Sequence, residues 1–520
     1  PTVSRALKSD HAEQWQDAII TEIMALLAHH TGTRVTLDQI PYGSQILPVK
    51  VVLKLKRDSL GDPIKYKARL CVLGNLQRKT LTNAFAPTAN EKSLKLLWSL
   101  ATALRLKIRS IDVYGAFLYP TQKDQVFIVM PTIITGGEPL YWKLNKTMYG
   151  LPTSPAAFYE HVSAHLLTGG YHRCPSDPCF FWLRCGADCL FAVVHVDDFA
   201  VAASTDALID DFIKHLEKIY VVSVTDEVNH FLGMHITDLP DGSRLLSQPG
   251  LLDKLFDKHE QIKSLNTYPA VPMNSSFDDA VQDDAPLCDT HEYMELLGSL
   301  LYIVKTRPDI AYAVSRMAMR SQGATVKDFR ALQRILAYLY DTKELGIYLT
   351  TQESLQYTLV AWSDASYATH SDGRSHSGYG FTAQDNESGL FYSRSRKQSN
   401  ITLSSTEAEL YAAVEAAKDI LWFRDILAEI GLPQEAPTVL YVDNASLITL
   451  ASAFSGNHKR VKHFLVRLNF LIEQVDNGTL LFAKVHTGKN VVDGLTKPLG
   501  PTEMLPKRDG LMGVPSTSRE

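Results

Sequence analysis

Apolar residues recur at helical spacing from 11 to 30, where Trp15, Ile19, Ile23, Leu26 and Leu27 share a face and Gly32 follows as a stop signal, so a helix is predicted there. From 45 to 79 the period shortens to two: VKVVLKLKRD and KYKARLCVLG alternate on either side of Gly61, Asp62 and Pro63, the pattern of a β-hairpin. Residues 92–107 read as a buried helix, and RSIDVYGAFLYP as a strand leaving it. Over 187–203 two apolar runs flank Asp197 and Asp198, which predicts a tight hairpin with carboxylates at its tip. Helical stripes return at 291–305, where Leu297, Leu300, Leu301 and Val304 form a core face, and at 327–341. Between them and the preceding strands, 267–290 carries Pro269, Pro272, Ser275, Ser276, Asp278, Asp279, Asp283, Asp284 and Pro286 and reads as a linker. From 356 the order becomes strand, strand, strand, helix, strand, helix, an α/β domain of its own. Its long helix, about 405–430, opens on the capping pairs Ser404 with Glu407 and Thr406 with Glu409, then turns Leu410, Val414, Ala417 and Leu421 inward.

At 520 residues the chain is too long for one core, and roughly 100 to 200 residues per domain gives an expectation of two to four domains. Hydrophobic residues at 45% and charged residues at 21% exclude disorder as the main organisation. The formal charge of -5 excludes a global basic field, so any nucleic-acid surface must be local. One such surface is the hairpin: Lys50, Lys54, Lys56, Arg57, Lys65, Lys67, Arg69, Arg78 and Lys79 stand against Asp58 and Asp62, a local +7. On charge alone a solvated face is the alternative reading. Six cysteines are too few for a disulfide scaffold, and no apolar run approaches the roughly 18 residues of a membrane span, so a reducing, soluble compartment is expected. Cys174, Cys179, Cys185 and Cys189 match no usual zinc spacing and read as buried thiols. The N-terminus is no signal peptide and lacks an initiating Met, the expectation for a processed product or an excised fragment.

Two sets of acids interrupt or end apolar strands, where an isolated carboxylate is costly unless paired or bound to metal. The first is Asp112 with Asp197 and Asp198; placed side by side on a sheet, such groups can bridge two Mg²⁺ ions about 4 Å apart. On spacing alone the Asp pair reads equally as a turn dipeptide. The second is Asp364, Glu409, Asp443 and Asp493, at intervals of 45, 34 and 50 residues. Asp364 and Asp443 end strands, Glu409 lies near the start of the long helix, and Asp493 opens a short final one.

KYKARLCVLGN, DVYGAFLYP, MYGLPTSPAAFYEHV, HVDDF, HFLGMHI and EYMELLGSLLYIVKTRPDIAYAVSRM stand in an order that resembles the reverse transcriptase of copia-type (Ty1/copia-like) LTR retrotransposons, over about 12–499. AWSDAS, SSTEAELYAA, YVDNAS and VVDGLTKPL resemble the ribonuclease H domain of the same polyproteins. The resemblance implies an α/β chain with an α+β palm: a right-hand polymerase of fingers, palm and thumb, followed by an RNase H-like domain. The expected division is 1–266 for fingers and palm, 267–355 for linker and helical thumb or connection, 356–499 for RNase H and 500–520 for a tail. Asp112, Asp197 and Asp198 would be the catalytic, metal-binding palm triad, and Asp364, Glu409, Asp443 and Asp493 the metal-binding acids of the nuclease, each set with two Mg²⁺ or substituting Mn²⁺. Phe117 would exclude a 2′-hydroxyl, and Lys67 and Arg69 would face the triphosphate. Lys459, Arg460, Lys462 and His463, with Arg467, would grip the hybrid backbone, and His486 would assist product release.

The implied function is an RNA- and DNA-directed DNA polymerase with ribonuclease H activity, copying retrotransposon RNA into double-stranded DNA. Its implied partners are an RNA template, a DNA primer, the RNA-DNA hybrid and dNTPs, with integrase and Gag from the same polyprotein and no membrane. Its implied compartment is a cytoplasmic virus-like particle whose product is destined for the nucleus. Three positions depart from the family pattern: Pro152 and Thr153 stand for Lys-Gln, His195 for an aromatic, and Leu73-Gly74 for Arg-Gly. They motivate an alternative, an impaired or domesticated protein that binds RNA-DNA hybrids.

Overall fold

A computed structural model describes residues 2–57, 63–78, 84–226, 228, 230–275, 277, 285–351, 356–384, 388–452 and 465–515. The hairpin turn with Asp58, Gly61 and Asp62, then Lys79, the linker positions Ser276, Asp278, Asp279, Asp283 and Asp284, and Lys459, Arg460, Lys462 and His463 lie outside the described residues. The fold is mixed α/β. Among the described residues its strands form four sheets.

The basic hairpin forms as the alternation predicts, Ile46–Arg57 against Pro63–Val72, at the edge of a five-stranded sheet completed by Gly32–Val35, Phe127–Val129 and Tyr141–Leu144. The helix Ala12–Ala28 lies on Pro63–Val72 and buries Trp15, Ile19 and Leu26.

The second sheet is six-stranded, with Lys107–Val113, Asp198–Ala203, Asp188–His195 and Phe180–Cys185 adjacent and antiparallel. Its central strands are apolar throughout because both faces are covered. Phe199 and Val201 meet Phe158, Ile209 and Phe212 of the helices Ser154–Thr168 and Asp206–Glu217. Ala200 and Ala202 meet Leu97 and Trp98 of the helix Glu91–Ala103 on the other face. The strand begun at Lys107 stops at Val113, short of the sequence expectation: Gly115 adopts φ +65 and a 3₁₀ turn, Ala116–Leu118, follows.

The helices Pro249–Lys258, Thr290–Ile303, Ala311–Ala318 and Val326–Asp341 share one apolar core. The first of these lies within the stretch the sequence had assigned to the palm. A small sheet, His230–Phe231, Met234–Asp238, Arg244–Ser247 and Ile347–Leu349, adjoins them.

The last sheet runs Tyr392–Lys397, His376–Ala383, Leu359–Ser366, Thr438–Val442 and Leu480–Lys484, three strands antiparallel and then two parallel. The helix Ser405–Glu429 covers it. Ser404 caps that helix through the Glu407 amide at 3.2 Å. Glu91–Ala103 is packed into the same core as this sheet, so one helix serves both. Ser99 Oγ meets Tyr357 Oη at 2.9 Å, Ser176 Oγ donates to Glu429 at 2.6 Å, Arg184 Nε donates to the Ile430 carbonyl at 2.8 Å, and Lys92 pairs with Asp419. Beyond residue 499, expected only as a tail, Pro501–Met512 forms a docked helix with Met504, Leu511 and Met512 buried. No helix among the described residues is long and apolar enough to cross a membrane.

Candidate active sites

At the tip of the hairpin Asp188–His195/Asp198–Ala203, Val196 turns the chain at φ +59 and Asp197 follows. Asp198 is the cross-strand partner of Asp112, so the two carboxylate-bearing strands are neighbours by hydrogen-bonded register. Asp197 and Asp112 line one pocket together with Lys67, Arg69, Tyr149 and Glu22. Burial raises the Asp197 carboxyl, Asp112 raises it further, and Arg69 and Lys67 draw it back down. The cations come from a single strand face: Lys67 and Arg69 are two apart on Pro63–Val72.

Tyr149 organises this pocket. The Arg69 guanidinium lies over its ring at 4.8 Å, and Phe117 packs edge-on against it at 4.9 Å. Backbone approach holds it there: the Val72 amide donates to the Tyr149 carbonyl at 2.7 Å. A Cβ on Gly150, which sits at φ +92, would fall 2.0 Å from the Val72 carbonyl oxygen, and one on Gly74 would fall 2.2 Å from the Gly150 oxygen. Only glycine allows this crossing. Of the departures noted above, Pro152 lies against Gly74, and His195 stands opposite Asp198 with its buried Nδ1 lacking a hydrogen-bond partner.

The second set converges more tightly. Asp364 near the end of Leu359–Ser366, Glu409 on Ser405–Glu429 and Asp443 just beyond Thr438–Val442 bring carboxylate oxygens within 4.8 Å of one another. Burial, then Asp493, pushes the Asp364 carboxyl up to about 7. Glu409 is driven well above its ordinary range by burial and then by Asp364 and Asp443. Its Oε2 is buried and has no hydrogen-bond partner. An all-oxygen donor set with an orphaned buried atom suits a hard divalent cation. The group has outer support, since Thr496 Oγ1 donates to Asp364 Oδ2 at 2.5 Å and Thr487 Oγ1 to Asp443 Oδ2 at 2.9 Å.

Asp493 is placed differently. It lies within a 3₁₀ turn, Val491–Leu495, outside that group of three, and its oxygens face Lys497 at 2.5 Å and Lys507 at 2.6 Å. Lys507 comes from Pro501–Met512 and also donates to the Thr487 and Asn490 carbonyls. His486 accepts from the Gly488 amide at 3.1 Å.

Of the basic segment expected to grip a hybrid, Arg467 is described. It stacks on Tyr411 at 4.0 Å and lines a groove of about 610 Å³ with Lys92, Arg394, Arg396, Lys397 and Lys418. The groove is lined from the same elements that carry two of the acids: Tyr411 lies on Ser405–Glu429 with Glu409, and Ser377 on the strand paired with Leu359–Ser366, which carries Asp364. Cys174, Cys179 and Cys189 are buried free thiols and Cys185 is exposed.

Sequence reasoning missed Glu22, Tyr149, Thr496, Lys497 and Lys507. Tyr149 and Thr496 lay inside quoted motifs without a role. Glu22 offered one signal, a carboxylate on the apolar stripe of a helix.

Residues 33–274 match the family model described as "Reverse transcriptase (RNA-dependent DNA polymerase)". Over 505 residues, 96% of this chain and 34% of the relative, the sequence is 32% identical to the "Retrovirus-related Pol polyprotein from transposon RE1" of Arabidopsis thaliana. It is 30% identical to that from transposon TNT 1-94 of Nicotiana tabacum, over 89% of this chain and 35% of the relative. The chain spans about a third of the length of these curated relatives. Among solved structures, one titled "Structure of the foamy viral protease-reverse transcriptase dRH in complex with ds DNA" superposes with a TM-score of 0.53 at 16% identity, covering 91% of this chain and 70% of that one, a likeness of fold. With the ordered motifs, the palm carboxylates and relatives that match it nearly end to end, the chain belongs to the copia-type reverse transcriptase family of LTR retrotransposons.

Proposed function

We propose that the chain is an RNA- and DNA-directed DNA polymerase with ribonuclease H activity, copying retrotransposon RNA into double-stranded DNA. The observation that carries the reading is one cleft in which Asp112 and Asp197 face Lys67, Arg69 and Tyr149, with a separate trio of buried acids on the RNase H-like sheet.

Asp112, Asp197 and Asp198 would hold divalent cations at the first site, and Asp364, Glu409 and Asp443 at the second, with Asp493 a further candidate once freed from its lysines. Bound Mg²⁺, or Mn²⁺ in its place, supplies Lewis-acid neutralisation of charge on the reacting phosphate oxygens. The chain's own groups do the rest. Lys67 and Arg69 bind the triphosphate and neutralise charge that grows on the leaving pyrophosphate. Tyr149 fixes the Arg69 guanidinium, and Phe117 beside it closes the space a 2′-hydroxyl needs. At the second site Thr496 and Thr487 orient the Asp364 and Asp443 carboxylates. The cationic groove with Arg467 holds the phosphate backbone of a hybrid, where fixed cations release condensed counterions. Substrates are thus an RNA template, a DNA primer, dNTPs and the RNA-DNA hybrid. The relatives' names, Pol and Gag-Pol polyproteins, support a setting beside integrase and Gag; the compartment that goes with this proposal is a cytoplasmic virus-like particle, with the DNA bound for the nucleus.

A second reading, a hybrid-binding protein with little polymerisation, draws on His195, whose unpartnered Nδ1 lies beside the palm acids. Mg²⁺-dependent extension of a DNA primer on RNA separates the two. Extension lost in Asp197→Asn but kept in Asp443→Asn, with hybrid cleavage showing the reverse, is the expected result. Folded wild type that binds hybrid yet incorporates nothing, even with Mn²⁺, favours the second reading.

A further inference from the structure

The N-terminal helix Ala12–Ala28 has no part in the chemistry above, yet it delivers a carboxylate into the polymerase pocket. Trp15, Ile19, Glu22 and Leu26 follow at helical spacing along one stripe. Trp15 packs edge-on against Tyr66 at 4.7 Å, and Ile19 joins the apolar cluster with Val51 and Ala68, so the stripe is pinned to the outer strand of the fingers. Glu22 is its charged member, and charge on a packed stripe costs free energy unless something answers it.

Two things answer it. The Leu70 amide, on the free edge of the strand Pro63–Val72, donates to Glu22 Oε1 at 3.2 Å. Burial pushes the Glu22 carboxyl up, the Leu70 amide and then Arg69 and Lys67 act against that rise, and the buried Arg69 Nε has no hydrogen-bond partner of its own. An amide or hydroxyl side chain would satisfy the Leu70 amide equally well, so the backbone contact leaves the charge unexplained. The cavity these groups enclose with Asp112, Asp197 and Tyr149 is about 30 Å³. So small a space cannot take a triphosphate with the side chains where they stand, and the Glu22 carboxylate is among those that fill it.

We infer that Glu22 is an internal competitor for the nucleotide: its carboxylate takes the anion position beside Lys67 and Arg69, and an incoming triphosphate must displace it. The inference rests on the polymerase reading for the identity of the ligand. Displacement lowers the apparent affinity by the fraction of molecules whose pocket is open. It does not touch the reacting atoms, so it weakens nucleotide binding and leaves turnover alone.

Glu22→Gln keeps the acceptor for Leu70 and the volume, and removes only the charge. In primer extension its KM for dNTP is expected to fall about 5- to 10-fold, with kcat within about twofold of wild type. Glu22→Met is the second variant should Gln fold poorly. Because extension tests both readings at once, the deciding arm needs no chemistry: calorimetric binding of inorganic tripolyphosphate to the whole chain. Tighter binding by the folded variant supports the competitor, whether or not wild type extends primers. Equal or weaker binding overturns it, and a raised KM would make Glu22 a group that positions the cations instead. Absence of extension in wild type counts against the polymerase reading alone.

Discussion

The Lys507 ammonium donates to Asp493 Oδ2 at 2.6 Å, with Lys507 6% and Asp493 3% exposed. Removing one partner of so buried a pair strands the other. Lys507→Met is therefore expected to cost about 3 kcal/mol in denaturant unfolding, the lower end for such pairs because Lys497 remains at Oδ1. Adding Asp493→Asn should restore most of the loss, and a double variant no more stable than the single would refute the pairing as the cause.

Thr496 is wholly buried and its hydroxyl donates to Asp364. Thr496→Val keeps the shape and deletes the donor. Partners that orient a metal-binding carboxylate are worth about 10- to 100-fold, so hybrid cleavage should fall by that factor while primer extension is unchanged. Equal loss of both activities would point to misfolding instead.

A directed proton chain gives a pH dependence. His376 Nε2 lies 2.9 Å from Ser395 Oγ, and Ser395 Oγ donates to the Leu495 carbonyl at 2.7 Å. The hydroxyl has one proton, so His376 must donate to it from Nε2 and accept at Nδ1 from His370 Nε2, 3.0 Å away. His376 must stay neutral for this, since a second proton on its ring would take the Nδ1 lone pair. Burial, then Arg316 and Lys397, depress His370 to about 4. Its folded value lies below its unfolded one, so the unfolded chain takes up the proton first: stability is full above pH about 6.5 and declines as pH falls toward 4, by at most about 3 kcal/mol for this group. Thermal melts between pH 7.5 and 4 should show the decline, and His370→Gln, neutral throughout, should make it shallower, the remainder coming from His376, which burial also depresses. An unchanged slope would exclude His370.

The cationic groove is testable through salt. If Arg396 and Arg467 each meet a phosphate, replacing either with Ala should reduce the slope of log K for hybrid binding against log salt by about 1. Loss of affinity with an unchanged slope would assign the groove another role.

Period and turn chemistry made most elements legible: the acid-tipped hairpin at Asp197, the doubly buried strands around it and the capped helix after Ser404 all follow from local pattern. The elements beneath Asp364, Glu409 and Asp443 bring their carboxylates together, whereas Asp493, expected with them, faces Lys497 and Lys507. What stayed hidden depends on partners far along the chain. Glu22 acts 48 residues from Leu70, and helical spacing says which face it occupies but not which strand that face covers. Lys507 lies in a segment whose weak periodicity gave no face at all, although Met504, Leu511 and Met512 are buried there beside it. The 3₁₀ turn after Val113 was missed because DVYGAFLYP is apolar enough for a strand, and only the positive φ of Gly115 breaks it.

The helix Glu91–Ala103 is clad in apolar contacts from the palm sheet on one side and the RNase H-like sheet on the other. Among the described residues, a helix shared in this way ties the two proposed centres together, because swinging one away would open a cut through a single core. The protein is thereby a calliper with locked jaws. On the proposed function, a template strand leaving the polymerase site would meet Asp364, Glu409 and Asp443 at a set arc length, so RNA cuts made during synthesis should trail the growing end by a constant number of nucleotides, whatever the sequence copied.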